Sequence, residues 1–545
     1  HRLTQSRPSD SFRDWKILSS GRRSDGADYS AGSLTKPQGK PALQNSVANG
    51  QGKTLAAIDL GSNSFHMIVA RVTQNEMRPV ERFGGRVQLG AGMKSNRLAP
   101  EAMERGLACL ARFRQALDTL QPEQVRIVGT NALRAAKNAP LFIRQAEALM
   151  GYPVEVISGR EEARLVYLGV AHTLADDDNS RLVVDIGGGS TEFIIGQRFE
   201  AKLRESLHMG CVTYRDRYFR QGKISPKRFE KAYRAAYQEV LKIRKAYKNH
   251  GWDNGVGSSG TMTSIEKLII DKGWAGEGIS AANLGRLKKL LLQYKDINSL
   301  SELSGLSERR RGVIVSGVAI TCAIFDALNI QQIHTSSGAL REGVIYEIMG
   351  RFEHEDVRER SVMAMMLRSE ADQQNADQVE SMATLLFDAV ADDWQLDESD
   401  RPLLCWAARL HEVGLSIAHS QFHKHGQYLI EHSDLAGFSK QMQRELALLV
   451  RSHRQKFPAG EFVSYEAEQR IRLKRLCILL RLAALFKYVT PVEGKPMFAT
   501  KVKESEVTLA FDADWLERHP LTSAALASEQ RYLKKIGFQL KLSSR

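Results

Sequence analysis

Asp185 and Ile186 end an apolar run that breaks into Gly187, Gly188, Gly189, Ser190 and Thr191 before a second apolar run, in LVVDIGGGSTEFIIG (residues 182–196). A carboxylate can hold a hard cation, and glycine amides with no side chain in the way can approach phosphate oxygens closely. Three successive glycines give up much conformational entropy on folding, so the turn they make is expected to serve such an approach. Residues 54–72, TLAAIDLGSNSFHMIVARV, repeat the pattern: a strand ends at Asp59, a Gly-Ser-Asn-Ser turn follows, and a second strand begins at Phe65. The familiar nucleotide loops instead lead from a strand into a helix, and their G-x-x-x-x-G-K-[ST] and G-x-G-x-x-G spacings are absent here. Either loop alone reads equally well as a structural hairpin whose Asp caps its own turn. The two together point to a duplicated α/β unit with two Asp-bearing phosphate loops facing across a cleft.

Glu162 is a further candidate. In SGREEARL, Ser158 and Glu161 have the S-x-x-E spacing of a capping box, which starts a helix and leaves Glu162 in its first turn, pointing elsewhere. From spacing alone, Glu162 complements the helix dipole. The elements that must carry these residues alternate. Met103, Leu107, Leu110, Phe113, Leu117 and Leu120 recur at helical spacing, 125–130 reads as a strand, 141–150 as a helix and 154–157 as a strand.

The chain of 545 residues is too long for one core, so three or four domains are expected. A net charge of +14 suits an anionic partner. Five scattered cysteines without C-x-x-C argue against a disulfide framework or zinc site and for a reducing compartment. No apolar run approaches the roughly 18 residues of a membrane span, and the first fifty residues hold no signal-peptide core. Those fifty, polar and without periodicity, read as a disordered extension or as residues translated from upstream of the true start.

AAIDLGSNSFHMIVARV, VGTNALRAAKN, EVISGREEARL, LVVDIGGGSTEF, LHMGCV, GSSGT (257–261) and SSGALREGVIYE (336–347) occur in this order. In these motifs the chain, from about Thr54 onward, resembles the exopolyphosphatase / guanosine pentaphosphate phosphohydrolase family of the actin-like ATPase superfamily. The fold this implies is α/β: two ribonuclease-H-like domains around a cleft (54–175 and 176–350), after an extension over 1–53. An all-helical HD-like domain (351–495) and a small C-terminal α/β domain (496–545) complete it. The resemblance makes Glu162 the general base, reversing the bland reading. It assigns Asp185 to a catalytic Mg²⁺, with Asp59 and Glu192 in the same metal set. Ser62, Asn63, Ser64, Gly187, Gly188, Gly189, Ser190, Thr191 and Arg134 become phosphate contacts. That cast suits phosphoanhydride hydrolysis, which needs charge neutralisation and a placed water more than covalent help.

Residues 403–434 hold His411, His419, His423, His425 and His432, and the region resembles HD-type phosphohydrolases. The metal-gripping His-Asp pair reads His411-Glu412 here, so scaffold is favoured over a metal site. Arg451, His453 and Arg454, with the run RIRLKRLCILLRLAALFKY (470–488), suggest a basic channel for a polyanion; the bland alternative is a solvated basic helix face. The expectation is a cytoplasmic homodimer, alternatively peripheral on the inner membrane face, with no nucleic-acid partner. Its activity is expected to be Mg²⁺-dependent release of orthophosphate from inorganic polyphosphate. Hydrolysis of guanosine pentaphosphate (pppGpp) is the alternative, and a non-catalytic polyphosphate or ppGpp sensor a further one.

Overall fold

The computed structural model describes residues 53–73, 76–91, 93, 95–174, 179–274, 278–352, 356–487 and 498–544. The extension up to residue 52 and the expected boundaries at 175/176 and 495/496 lie outside the described residues. Lys53, which the sequence reading gave to the extension, is the first residue of β1.

β1 (Lys53–Leu60) and β2 (Ser64–Thr73) form an antiparallel hairpin with Asp59 opposite His66. β3 (Glu76–Arg86) extends it, β4 (Gln124–Gly129) runs parallel to β1, and β5 (Val154–Val156) runs parallel to β4, giving the order β3-β2-β1-β4-β5. Helices Pro100–Leu120 and Ala139–Met150 pack with this sheet. Met103, Leu110, Phe113 and Leu117 are buried as the helical spacing requires, while Leu107 and Leu120 are half-buried.

The second sheet repeats the first. β6 (Ser180–Ile186) and β7 (Thr191–Gln197) make the hairpin, with Asp185 opposite Glu192; β8 (Glu200–Leu207) extends it and β9 (Asn254–Ser258) lies parallel to β6. β10 (Ile279–Ser280) and β11 (Gln332–Thr335) complete the order β10-β11-β9-β6-β7-β8. β1 therefore corresponds to β6 and β4 to β9, and the two aspartates hold equivalent places.

Between the sheets lie helices Gly159–Ala171 and Leu340–Phe352, in a core that joins Leu55, Ala57 and Val128 to Val183, Ile194 and Val344. They cross backbone to backbone. A Cβ on Gly343 would lie 1.8 Å from the Leu165 carbonyl oxygen, and one on Gly169 2.2 Å from that of Ala339. Leu340–Phe352, placed by sequence in the second domain, thus also packs on β1 and β2 of the first.

Among the described residues, the C-terminal half holds six main helices, Val357–Arg368, Gln373–Trp394, Asp400–Leu410, Phe422–His432, Lys440–Ser452 and Ala467–Leu485. Next comes a sheet of β12 (Phe498–Lys503), β13 (Glu506–Phe511) and β14 (Gln539–Ser544), backed by helix Pro520–Lys534. Helices and sheet share one core, in which Trp394, Leu479 and Phe486 join Phe498, Phe511 and Leu533.

Candidate active site

The two glycine-serine turns meet. A Cβ on Gly188 would stand 3.0 Å from the Asn63 amide nitrogen and 3.2 Å from Ser62 Cβ; one on Gly189 would stand 2.3 Å from Asn131 Oδ1. The glycines are thus required by close approach of the facing hairpin. The second turn is held from behind by the start of helix Cys211–Tyr218, where the Cys211 amide donates to Gly187 O and the Val212 amide to Gly188 O, both at 2.9 Å.

A cavity of about 320 Å³ lies between the turns. Of the residues singled out by sequence, Asp59, Ser62, Asn63, Ser64, Glu162, Asp185, Gly187, Gly188, Gly189 and Ser190 line it. Asp59 Oδ1, Ser62 Oγ and Asn63 Oδ1 are buried there and make no hydrogen bond. Three others stand apart. Thr191 is fully buried and its hydroxyl donates to Met209 O. Glu192, also buried, accepts from Ser206 Oγ at 2.8 Å. Arg134, expected on phosphate, donates to Glu162 Oε2 at 2.7 Å and to Ile157 O at 2.9 Å, which fixes the Glu162 carboxylate.

Glu162 sits in the first turn of its helix because Ser158 caps it, accepting from the Glu161 amide at 3.1 Å. The carboxylate of Glu161 is bonded to Arg164 at 2.7 and 2.9 Å, so the returning half of the capping box is replaced by an ion pair.

Crowded carboxylates set the electrostatics. Burial and then the charge of Glu162 push Asp59 up to about 8. Burial, partly offset by a hydrogen bond from Ser258, pushes Asp185 up to about 7. Burial with the charges of Glu162 and Asp185 raises Glu192 well above the carboxylate range. Sequence reasoning missed the cations that oppose them: Arg310 and Arg341 line the cavity, Arg341 acting on both aspartates and Arg310 on Asp185. Arg310 lies directly over Gly260, where a Cβ would stand 1.6 Å from its Nη2. His66, 4.0 Å from Asp59, is held neutral near 3 by burial and by Arg341 and Arg310. Arg341 lies in the ALREG part of a quoted motif and Arg310 in ERRRG (308–312), outside every motif, and no spacing relates either to Asp59 or Asp185. The N-terminal residues of helices Ser259–Asp271 and Leu340–Phe352 also line the cavity and aim their positive dipole ends at it.

Residues 68–352 match the Ppx/GppA phosphatase family, and residues 357–530 match its domain III. The chain belongs to this family. A guanosine-5'-triphosphate,3'-diphosphate pyrophosphatase from Pseudoalteromonas translucida (strain TAC 125) is 39% identical over 492 residues, covering 90% of this chain and 98% of that protein. One of the same name from Vibrio vulnificus (strain YJ016) is 39% identical over 501 residues, covering 91% and 99%. The crystal structure of an exopolyphosphatase from Cytophaga hutchinsonii ATCC 33406 is 25% identical with a TM-score of 0.51, covering 55% of this chain and 98% of that one. This Ppx/GppA phosphatase is accordingly a phosphoanhydride hydrolase with the actin-like two-domain α/β fold, a helical domain and a small C-terminal sheet domain.

The cavity of the phosphatase suits a divalent cation. Asp59 and Asp185 line it with Arg310 and Arg341, Glu162 is already paired with Arg134, and the buried Asp59 Oδ1 without a hydrogen bond offers an oxygen to a hard cation. Among the described residues no three His, Cys, Asp or Glu side chains form a preassembled metal set. Mg²⁺ needs none, because it takes one or two carboxylates and completes its shell with water and phosphate oxygens.

The helical domain of the phosphatase differs from the expected basic channel. His453 is buried, donates through Nδ1 to Val450 O, and is driven well below its ordinary value by burial. Arg454 lies over the Phe422 ring, and Arg451 faces Glu461 at 3.7 Å. Along the basic run, Arg472 pairs with Asp400 and Glu445, Arg475 donates to Trp394 O, Arg481 pairs with buried Glu529, and Lys487 pairs with Glu412. Arg472, Arg475, Arg481 and Lys487 hold the domain together, whereas Arg451 lines a surface pocket with Lys424 and Lys456. His411 and His423 do meet His453, with ring centroids 5.4 and 6.4 Å from it, whereas His432 stacks on Tyr428. No helix of the described residues is long and apolar enough to cross a membrane.

Proposed function

We propose that this phosphatase removes the terminal 5' phosphate of guanosine-5'-triphosphate,3'-diphosphate, leaving the 5'-diphosphate and orthophosphate. The observation that carries the reading is the 39% identity, over nine-tenths of this chain and nearly all of the relative, to a protein bearing that name. In the mechanism, the terminal phosphoryl group enters between the two turns, where the Gly188 and Gly189 amides and the Ser62, Ser64 and Ser190 hydroxyls meet its oxygens, the Gly187 amide being bonded to Ser190 O within the turn. Arg310 and Arg341 offset its charge. Glu162, oriented by Arg134, takes a proton from a water. The water oxygen bonds to phosphorus, the bond to the bridging oxygen breaks, and that oxygen leaves with its electron pair on the β-phosphate. Mg²⁺, which Asp185 and Asp59 would hold with Glu192 set back from the cavity opposite Asp185, would neutralise charge on the phosphate oxygens.

Inorganic polyphosphate is the second reading, favoured by the likeness to the Cytophaga exopolyphosphatase. Orthophosphate release measured side by side with Mg²⁺ separates them. A kcat/KM for guanosine-5'-triphosphate,3'-diphosphate above that for long-chain polyphosphate is expected, and the reverse order installs the second reading.

A further inference from the structure

A groove of about 910 Å³, sharing no lining residue with the catalytic cavity, lies between the second α/β domain and the helical domain. Its three carboxylates are already matched: Glu200 by Lys202, Glu347 by Arg164 and Asp434 by Arg160. Arg204, Arg360 and Arg368 also line it and form no salt bridge among the described residues, so three positive charges are left over. Burial lowers the pKa of Arg204, as expected of a guanidinium short of an anion.

The same groove holds an aromatic column. His172 stacks on Tyr346, centroids 3.6 Å apart and planes 13° apart, and lies 4.5 Å from the ring of Phe199. Phe199 is 45% exposed at the tip of the two-residue turn between β7 and β8. Such turns favour Gly, Asn or Asp, yet Arg198 takes the left-handed backbone (φ 50°) and Phe199 projects into water. Turn chemistry therefore does not explain the aromatic.

An exposed ring beside uncompensated arginines is the chemistry that recognises a heterocyclic base joined to phosphates. We propose that this groove is a second ligand site, for a purine nucleoside polyphosphate. Phe199 stacks on the base, and Arg204, Arg360 and Arg368 take the phosphates. Both interdomain helices connect it to the catalytic cavity. Gly159–Ala171 carries Glu162 into the cavity and Arg164 into the groove, with His172 at its C-cap; Leu340–Phe352 carries Arg341 and Tyr346 in the same way. A nucleotide in the groove thus bears on the helices that place the base and one arginine, and the site is regulatory.

Equilibrium titration of the intact protein without Mg²⁺, using GDP and inorganic tripolyphosphate as probes, tests this independently of hydrolysis. Phe199→Ala should weaken a GDP site about tenfold, the scale of one lost base stack, and leave tripolyphosphate binding unchanged. Phe199→Tyr should restore GDP, and Arg360→Ala with Arg368→Ala should weaken both probes. Hydrolysis without added GDP should stay within about twofold of wild type in the Phe199 variants, and its response to GDP should vanish in Phe199→Ala. GDP binding that is absent, or unchanged by Phe199→Ala, overturns the proposal. So does an equal loss for tripolyphosphate, which would make the groove a plain polyanion track.

Discussion

Asp59 and Asp185 illustrate how a candidate catalytic site works against the stability of the fold that carries it. Each carboxyl is raised from 3.8, to about 8 and about 7 respectively. An acid raised in this way keeps its proton in the folded state at pH values where the unfolded chain has lost it. Its contribution to stability therefore falls as pH climbs from about 4 towards 7 or 8. Asn, which resembles the protonated acid, escapes that loss. Asp185→Asn should melt higher than wild type at pH 8 without Mg²⁺, the gap should narrow as pH falls and close near pH 4, and phosphate release should collapse. A variant melting below wild type at pH 8 would show that Asp185 is not a strained, proton-retaining group. At this scale the sequence was readable where chemistry repeats: two Asp-bearing turns announce each other. Arg310 and Arg341 were not readable, because they reach the cavity from remote helix starts and carry no periodic mark. Arg134 was placed on phosphate by resemblance, whereas its bond to Glu162 depends on the β4 and β5 strand ends lying side by side.

Helices Gly159–Ala171 and Leu340–Phe352 are the elements that decide the site's precision, since each delivers a functional side chain and they touch through glycine. Gly343→Ala would set a methyl 1.8 Å from the Leu165 carbonyl, and backbone cannot yield there as a flexible side chain would. A loss of about 1–3 kcal/mol is expected in denaturant unfolding, with phosphate release falling by more than the unfolded fraction explains. Gly285→Ala, in open space on another helix, should be neutral or stabilising by up to about 1 kcal/mol. Equal effects from the two substitutions would mean that the helix crossing is not tight. The helix stripe of 100–120 and the Ser158 cap were legible because both are local. The basic run of 470–488 was misread for the opposite reason. Its arginines look like a solvated face, but Asp400, Glu445, Glu529 and the Trp394 carbonyl, from distant parts of the chain, bond to them.

Across the whole molecule, the helical domain and the terminal sheet share one core, and Arg481 is its polar pin. Fully buried, it meets Glu529 Oε2 at 2.8 Å and donates to the carbonyls of Ser452 and Gln455. Arg481→Met should cost about 3–5 kcal/mol by stranding Glu529, and adding Glu529→Leu should recover much of that, as a double-mutant cycle would measure. Sequence separated a helical domain from a small sheet domain here, as the fold bears out, but nothing in the spacing shows that their apolar faces close on each other. The duplicated α/β lobes were legible at this scale, while the helices that join them were not. The sharpest question remains whether the cleft between those lobes is a hydrolytic centre with Glu162 as its base. Orthophosphate release from guanosine-5'-triphosphate,3'-diphosphate with Mg²⁺, by the intact protein and by Glu162→Gln, answers it. A kcat lower by about 10²–10⁴-fold with KM little changed is expected for loss of the base; a variant that turns over within a few-fold of wild type would contradict it.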